Sequence, residues 1–220
     1  MAWSALTRVR TWVVAGVVLL AAAGIFALEK NRRVEEWPDV FFPPRAGVKS
    51  ADKTIAEAKI TVDARSKEKW QYVRFSGGGV VRIAGTVLPD WDVAFRRFQV
   101  VTNSGATNSA GQAGARDMGP VAFETIGEAP AEGYLKDVMA GDRVETENSA
   151  IKRWYGYDYF THRLKPKPNV YVVRTADGRF AKFQILSYYG PRKEAGWITI
   201  RFAVAPAGSR RFGESHSRAS

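Results

Sequence analysis

The second half of the chain carries three runs of alternating apolar residues, and these constrain the fold more than any other feature. The runs are Asn169–Arg174, Phe180–Tyr189 and Gly196–Ala203, and they are rich in Val, Ile, Phe and Tyr. Alternation with a period of two places the apolar side chains on one face of an extended strand. Asp177 and Gly178, between the first two runs, are typical of a two-residue hairpin turn. This half is therefore predicted to be an antiparallel meander.

Shorter runs of the same kind predict strands in the first half, at Lys59–Asp63, Trp70–Phe75 and Trp91–Val101. The glycines at 77, 78 and 79 join the second run to Val80–Ile83, which indicates a hairpin. The predicted fold class is all-β and mostly antiparallel, with one domain over residues 58–205.

Two segments between the runs are not expected to form strands. Residues 102–114 are rich in Gly, Asn and Ser, which favour tight turns, so a surface loop is predicted there. Residues 128–150 are polar, and the only regular element expected among them is a short helix near Leu135 to Met139.

An apolar segment near the N-terminus, Trp12–Leu28, contains no charged residue. Its length lies near the lower end of the range for a membrane-spanning helix, about 17–25 residues. The prediction is a transmembrane anchor in a bacterial inner membrane, with residues 1–11 as a cytoplasmic stub and the domain in the periplasm. The alternative is a cleaved secretory signal, because Arg8 and Arg10 precede the segment and small residues, Ala21–Ala23, lie within it.

The regions that flank the predicted domain differ from it in composition. Residues 29–57 include Pro38, Pro43 and Pro44 among aromatic residues, which indicates an extended linker. Residues 206–220 are rich in Gly, Ser and Arg and are predicted to be a disordered tail.

The formal net charge of +11 is concentrated in part at the termini of the chain. Basic residues that flank an apolar helix meet anionic lipid headgroups, so they do not require nucleic acid. With no basic stripe or nucleic-acid motif, no nucleic-acid partner is predicted. The chain has no cysteine, so disulfides, thiolate metal sites and a cysteine nucleophile are excluded.

Several of these segments resemble the HmuY family of bacterial haem-binding surface proteins. The likeness covers about residues 58–204 and includes Trp91-Asp-Val-Ala-Phe95, the loop that follows, and the closing meander. It implies an antiparallel, sandwich-like domain that is not an enzyme and that takes haem or another tetrapyrrole between two axial side chains. The positions that match the family pattern and are expected to be structural are Trp91, Asp92, Thr102, Asn103, Gly105, Gly111, Gly114, Asp177 and Gly178.

His162 is the only histidine of the predicted domain. Two interpretations stay open for it: a hydrogen-bonding residue at the entrance of a strand, or an axial haem ligand with Met139 or Tyr159 opposite. Tyr157 and Tyr159 belong to an aromatic group, with Trp154, Tyr155 and Phe160, that can line a porphyrin or pack on a partner protein. The cofactor-binding candidates are therefore His162, Tyr159, Met139 and Tyr157, and no catalytic or metal site is predicted.

Two functions fit these features. One is haem handling at the membrane, with the lipid bilayer contacted through residues 12–28. The other is an accessory subunit that docks on a larger membrane protein complex through its helix and linker.

Overall fold

Antiparallel strands account for nearly all regular structure in the computed structural model, which describes residues 55–81, 90–141 and 144–213. The strands are β1 (Ile55–Asp63), β2 (Gln71–Arg74), β3 (Gly79–Val81), β4 (Val93–Arg96), β5 (Gln99–Thr102), β6 (Gly114–Asp117), β7 (Val138–Met139), β8 (Thr146–Glu147), β9 (Tyr155–Asp158), β10 (Arg163–Pro166), β11 (Tyr171–Arg174), β12 (Phe180–Tyr189) and β13 (Ala195–Val204). One turn of 3-10 helix, Phe123–Thr125, follows β6. The predicted all-β, antiparallel fold class is confirmed.

The predicted meander forms the centre of a five-stranded sheet in the order β1-β13-β12-β11-β6. The turn between β11 and β12 differs from the two-residue hairpin predicted from Asp177 and Gly178. Arg174 pairs with Phe180, so five residues form the turn, and Gly178 supplies a positive φ of 83°. The Thr175 hydroxyl donates to Asp177 Oδ1 at 2.6 Å and so stabilises this longer turn.

A second sheet of four strands, in the order β3-β2-β4-β5, packs against the first. Phe75, at the end of β2, lies 5.5 Å from Phe183 on β12 and 5.3 Å from Phe202 on β13, measured between ring centroids. Val73, Val93 and Phe95 belong to the same buried cluster as the inward side chains of β12 and β13. The main core therefore lies between the two sheets, as in a β-sandwich.

The remaining strands make two small hairpins, β7–β8 and β9–β10, each a sheet of two strands. The predicted helix near Leu135 to Met139 is wrong. Leu135 instead bridges to Ala115 with two backbone hydrogen bonds of 2.7 and 2.9 Å, and Met139 pairs with Thr146 on β8. The backbone is extended here because it pairs with β6 on one side and β8 on the other.

The first part of the predicted disordered tail is instead packed on the domain. Phe212 is only 7% exposed and lies in a second buried cluster, with Phe123, Val172 and Ala203, on the outer side of the five-stranded sheet. Backbone hydrogen bonds join Ala129 N to the Arg210 carbonyl and Phe212 N to the Gly127 carbonyl. Composition did not reveal this packing because a single aromatic residue among Gly, Ser and Arg provides the anchor.

The N-terminal predictions fall outside the described residues. These are the stub at 1–11, the transmembrane segment at 12–28 and nearly all of the linker at 29–57; β1 begins at Ile55, slightly before the predicted start of the domain. Within the described residues, no helix has the length and apolar character needed to cross a bilayer.

Candidate functional site

The β9–β10 hairpin carries three of the four cofactor-binding candidates. Tyr157 lies on β9 and pairs with Leu164, and the last pair before the turn joins Asp158 to Arg163. Four residues, Tyr159 to His162, form the tip. Asp158 Oδ1 accepts hydrogen bonds from the backbone N–H groups of Phe160 and Thr161 at 3.0 and 3.1 Å, and these bonds lower the pKa of the Asp158 carboxyl. The tip is therefore a turn with a defined conformation.

A hydrogen bond joins two of the candidates directly. The Tyr157 hydroxyl lies 2.6 Å from His162 Nδ1, and both side chains are exposed at the surface. Tyr159 packs edge-on against Tyr157 with ring centroids 5.0 Å apart. Because Nδ1 is engaged with a phenol, Nε2 is the imidazole nitrogen that remains for a ligand, which is the arrangement that orients metal-binding histidines in many proteins.

His162 also has an unusual backbone conformation, with a φ of 52°. Asn, Asp and His are the non-glycine residues most enriched in this left-handed conformation, so a histidine is compatible with the turn. These observations fit the first interpretation of His162, because it lies directly before β10 and forms a hydrogen bond; its role as a haem ligand stays a prediction.

Met139, the fourth candidate, lies in a different hairpin. It is on β7, where its side chain is 48% exposed beside the similarly exposed Val138. The structure thus brings Tyr157, Tyr159 and His162 together and places Met139 on a separate two-stranded sheet. Across the described ranges, no three or more His, Asp or Glu side chains are grouped so as to hold a metal ion.

The loop after β5 is organised by a buried carboxylate that the sequence did not single out. Asp137 is 3% exposed and accepts hydrogen bonds from Thr102 N (2.8 Å), the Thr102 hydroxyl (2.6 Å), the Thr107 hydroxyl (2.6 Å) and Asn148 Nδ2 (2.9 Å). Burial raises the pKa of the Asp137 carboxyl, while these donors act in the opposite direction. The spacing of Asp137 and Asn148 in a polar stretch gave no signal of this role.

The glycines that match the family pattern surround the same network. A Cβ on Gly105 would lie 2.2 Å from the Asp137 carbonyl oxygen, and one on Gly111 would lie 2.0 Å from the Asn103 carbonyl oxygen. Asn103 in turn donates to the Trp91 carbonyl at 2.9 Å. The predicted structural role of these residues thus has a steric basis, since the backbone approaches too closely for any side chain.

Asp92 connects the two sheets. Its carboxylate accepts Phe75 N at 2.8 Å through Oδ2 and Ala176 N at 2.8 Å through Oδ1. One carboxylate therefore joins the end of β2 to the β11–β12 turn. Burial raises the pKa of the Asp92 carboxyl to about 6, with Asp177 adding to the effect and Arg74 opposing it.

This pKa predicts a pH dependence of stability. The folded domain binds the Asp92 proton more tightly than the unfolded chain, whose carboxyl titrates near 3.8. The free energy of unfolding should therefore fall by an amount on the order of 2–3 kcal/mol as pH rises from about 4 to about 6. Above that window the Asp92 proton no longer contributes to stability. Urea unfolding of the wild type and of Asp92→Asn across this range measures it. The wild type should lose stability relative to the variant as pH rises, and parallel profiles would contradict the assignment.

The fold defines an antiparallel β-sandwich that carries an accessory hairpin with exposed aromatic and imidazole groups. The family model described as HmuY protein matches residues 66–202, and the chain belongs to this family. Comparison with curated protein sequences finds no relative.

Solved structures share this fold at low sequence identity. The apo HmuY analog of Tannerella forsythia has a TM-score of 0.55 and 19% identity, over 71% of this chain and 100% of that chain. A protein from Bacteroides vulgatus, named as a candidate HmuY-like haem-binding protein, has a TM-score of 0.54 and 19% identity, over 71% of this chain and 96% of that one. Apo PinO, from a Porphyromonas species, has a TM-score of 0.53 and 14% identity, over 69% of this chain and 98% of that chain.

Proposed function

We propose that this protein is a non-enzymatic haem-binding member of its family and that the β9–β10 hairpin holds the haem or another tetrapyrrole. The observation that carries the proposal is the Tyr157–His162 hydrogen bond, which leaves Nε2 available on an exposed, aromatic turn. The HmuY family and the haem-binding description of the Bacteroides vulgatus protein support the choice of ligand.

The side chains of the hairpin fit the chemistry of haem. Haem is a flat, largely apolar ring whose iron accepts an imidazole nitrogen or a phenolate oxygen as an axial ligand. His162 offers the nitrogen, Tyr157 orients the imidazole ring through Nδ1, and Tyr159 presents an aromatic face that is 79% exposed. Met139 and Tyr159 are the candidates for the second axial position.

Haemin titration of the full chain tests the proposal. Wild type should shift the Soret band, and His162→Asn should abolish the spectrum of imidazole coordination, because asparagine keeps the left-handed backbone but offers no imidazole nitrogen. Tyr157→Phe removes only the hydrogen bond at Nδ1 and should weaken binding by about tenfold or more. His216→Asn is the matched control, since His216 is the other histidine of the chain.

Each arm has an outcome that contradicts part of the proposal. Absence of a Soret shift in wild type overturns haem binding, and an unchanged spectrum in His162→Asn overturns the site. Met139→Leu against Met118→Leu tests the second axial position: a change in the first variant alone assigns Met139, and no change leaves Tyr159 as the candidate.

The proposal includes a location. The uncharged segment at 12–28 supports a single-pass anchor in a bacterial inner membrane, with the domain in the periplasm. A tethered domain would pass haem locally or serve as an accessory subunit of a larger membrane complex. A chain cleaved near Ala23 would instead act as a free protein. The N-terminal residue of the mature chain distinguishes the tethered from the released form.

A further inference from the structure

The tip of the β9–β10 hairpin exposes apolar surface that the core does not use. Phe160 is 99% exposed and Tyr159 is 79% exposed. Phenylalanine has no donor atom, so the exposed ring of Phe160 has no role as an iron ligand. A ring exposed to this degree gains free energy when another apolar phase covers it.

The hairpin is attached to the rest of the domain close to its tip. The Arg163 guanidinium lies over the Tyr189 ring at 4.5 Å, and the Tyr189 hydroxyl accepts a hydrogen bond from Leu164 N at 2.9 Å. Tyr189 is the last residue of β12, so the hairpin is fastened to the five-stranded sheet. Phe160 is therefore presented in a defined position by a rigid support.

Cations lie along the hairpin that carries the exposed rings. Arg153, Lys165 and Lys167 are exposed on and beside the hairpin, and the Lys165 side chain is 76% exposed. The one acidic residue of the hairpin, Asp158, has Oδ1 turned toward the backbone of the tip and Oδ2 3.6 Å from Lys165. The hairpin thus combines an apolar tip with a net positive charge.

Two other loops carry further cations. Arg97 connects them: its backbone N–H donates to the Ala64 carbonyl of the β1–β2 connection, and Nη1 donates to the Ala195 carbonyl at the start of β13 at 3.2 Å. Exposed cations lie in both loops, at Lys67, Lys69, Arg192 and Lys193, together with the exposed Glu68 and the half-buried Glu194. Two of the exposed acids that follow β6, Glu124 and Glu128, are ion-paired with Arg201, Arg210 and Arg211.

We propose that Phe160 and the cations of its hairpin dock on an anionic lipid bilayer. The ring would enter the interfacial region, where aromatic side chains are favoured, while the lysines and arginines meet anionic headgroups. The net positive charge of the hairpin favours this occupant, because a negatively charged bilayer attracts Arg163, Lys165 and Lys167. This docking goes beyond haem binding and does not require it.

The absence of cysteine allows a local measurement on the full chain. Thr161→Cys places a single thiol at the tip of the hairpin. Ala207→Cys is the matched control, because Ala207 is also exposed but lies near the beginning of β12, where Ala205 N donates to the Phe180 carbonyl. Each is labelled with an environment-sensitive fluorophore and mixed, without haemin, with vesicles that contain nitroxide-labelled lipid. The vesicles are phosphatidylcholine alone or phosphatidylcholine with phosphatidylglycerol.

We expect the nitroxide lipid to quench the label at position 161 but not the label at position 207. This quenching should occur only in vesicles that contain phosphatidylglycerol, and added salt should reverse it. Phe160→Ser should weaken this quenching by about tenfold, whereas Val80→Ser, which alters an exposed apolar residue on β3, should not. The double variant Lys165→Glu/Lys167→Glu should weaken it by at least about tenfold.

Three outcomes would overturn the proposal. They are no quenching at 161, equal quenching at 161 and 207, and equal quenching with both lipid mixtures. Haemin titration is independent of all three, so failure of lipid docking and failure of haem binding are distinguishable.

Discussion

Replacement of Asp137 by alanine is expected to lower the free energy of unfolding by about 3 kcal/mol or more. The carboxylate is the common acceptor for a backbone N–H, two hydroxyls and an amide in a buried site. Its removal leaves Thr102 N and Asn148 Nδ2 without this acceptor, and a buried unpaired donor costs about 1–3 kcal/mol. Urea unfolding followed by tryptophan fluorescence measures the effect.

Two further variants make this measurement interpretable. Asp137→Asn keeps one acceptor oxygen and should cost less than alanine, so it remains measurable where the alanine variant does not fold. Asp90→Ala is the matched control, because the Asp90 side chain is 62% exposed and its contact with Arg74 is 3.4 Å long. A loss for Asp90→Ala equal to that for Asp137→Ala would show that the buried network has no special role.

Gly111→Ala is expected to destabilise the domain by about 3 kcal/mol, although it adds only one methyl group. The new Cβ would lie 2.0 Å from the Asn103 carbonyl oxygen and 2.7 Å from Asn103 Oδ1. That carbonyl also accepts Ala113 N, and Oδ1 accepts Asn108 Nδ2 at 2.7 Å, so neither group can move without loss of a hydrogen bond.

Gly127→Ala provides the comparison. A Cβ there meets no atom within 4 Å, and its backbone does not need a positive φ. Its effect on stability should lie within about 0.5 kcal/mol of zero. Thermal unfolding of the two variants side by side measures the difference, and similar midpoints would show that the loop backbone relaxes around Gly111.

The regular strands were predictable because local pattern and burial agree in them. In β13 the buried positions Ile198, Ile200 and Phe202 alternate with half-buried ones, so periodicity alone identifies the strand. Trp91, one of the positions that match the family pattern, is buried, with 1% of its surface exposed.

The errors arose where long-range contacts determine the local structure. The stretch Leu135 to Met139 is extended because Ala115 and β8 pair with it, and Phe212 is ordered by cluster residues distant in sequence. Asp92 and Asp137 look like ordinary polar residues in the sequence, since nothing local reveals that partners from other strands surround them. For the candidate site, the sequence identified the residue types of the hairpin but not the Tyr157–His162 hydrogen bond.

The pairing of β1 with β13 determines when the five-stranded sheet can be completed. Thr61 and Thr199 share a hydrogen bond although they are 138 residues apart, so the first strand has no partner until the last one has been synthesised. Contacts of such separation also slow folding, because a long loop must close before they form. The five-stranded sheet can therefore be completed only after β13 has been synthesised.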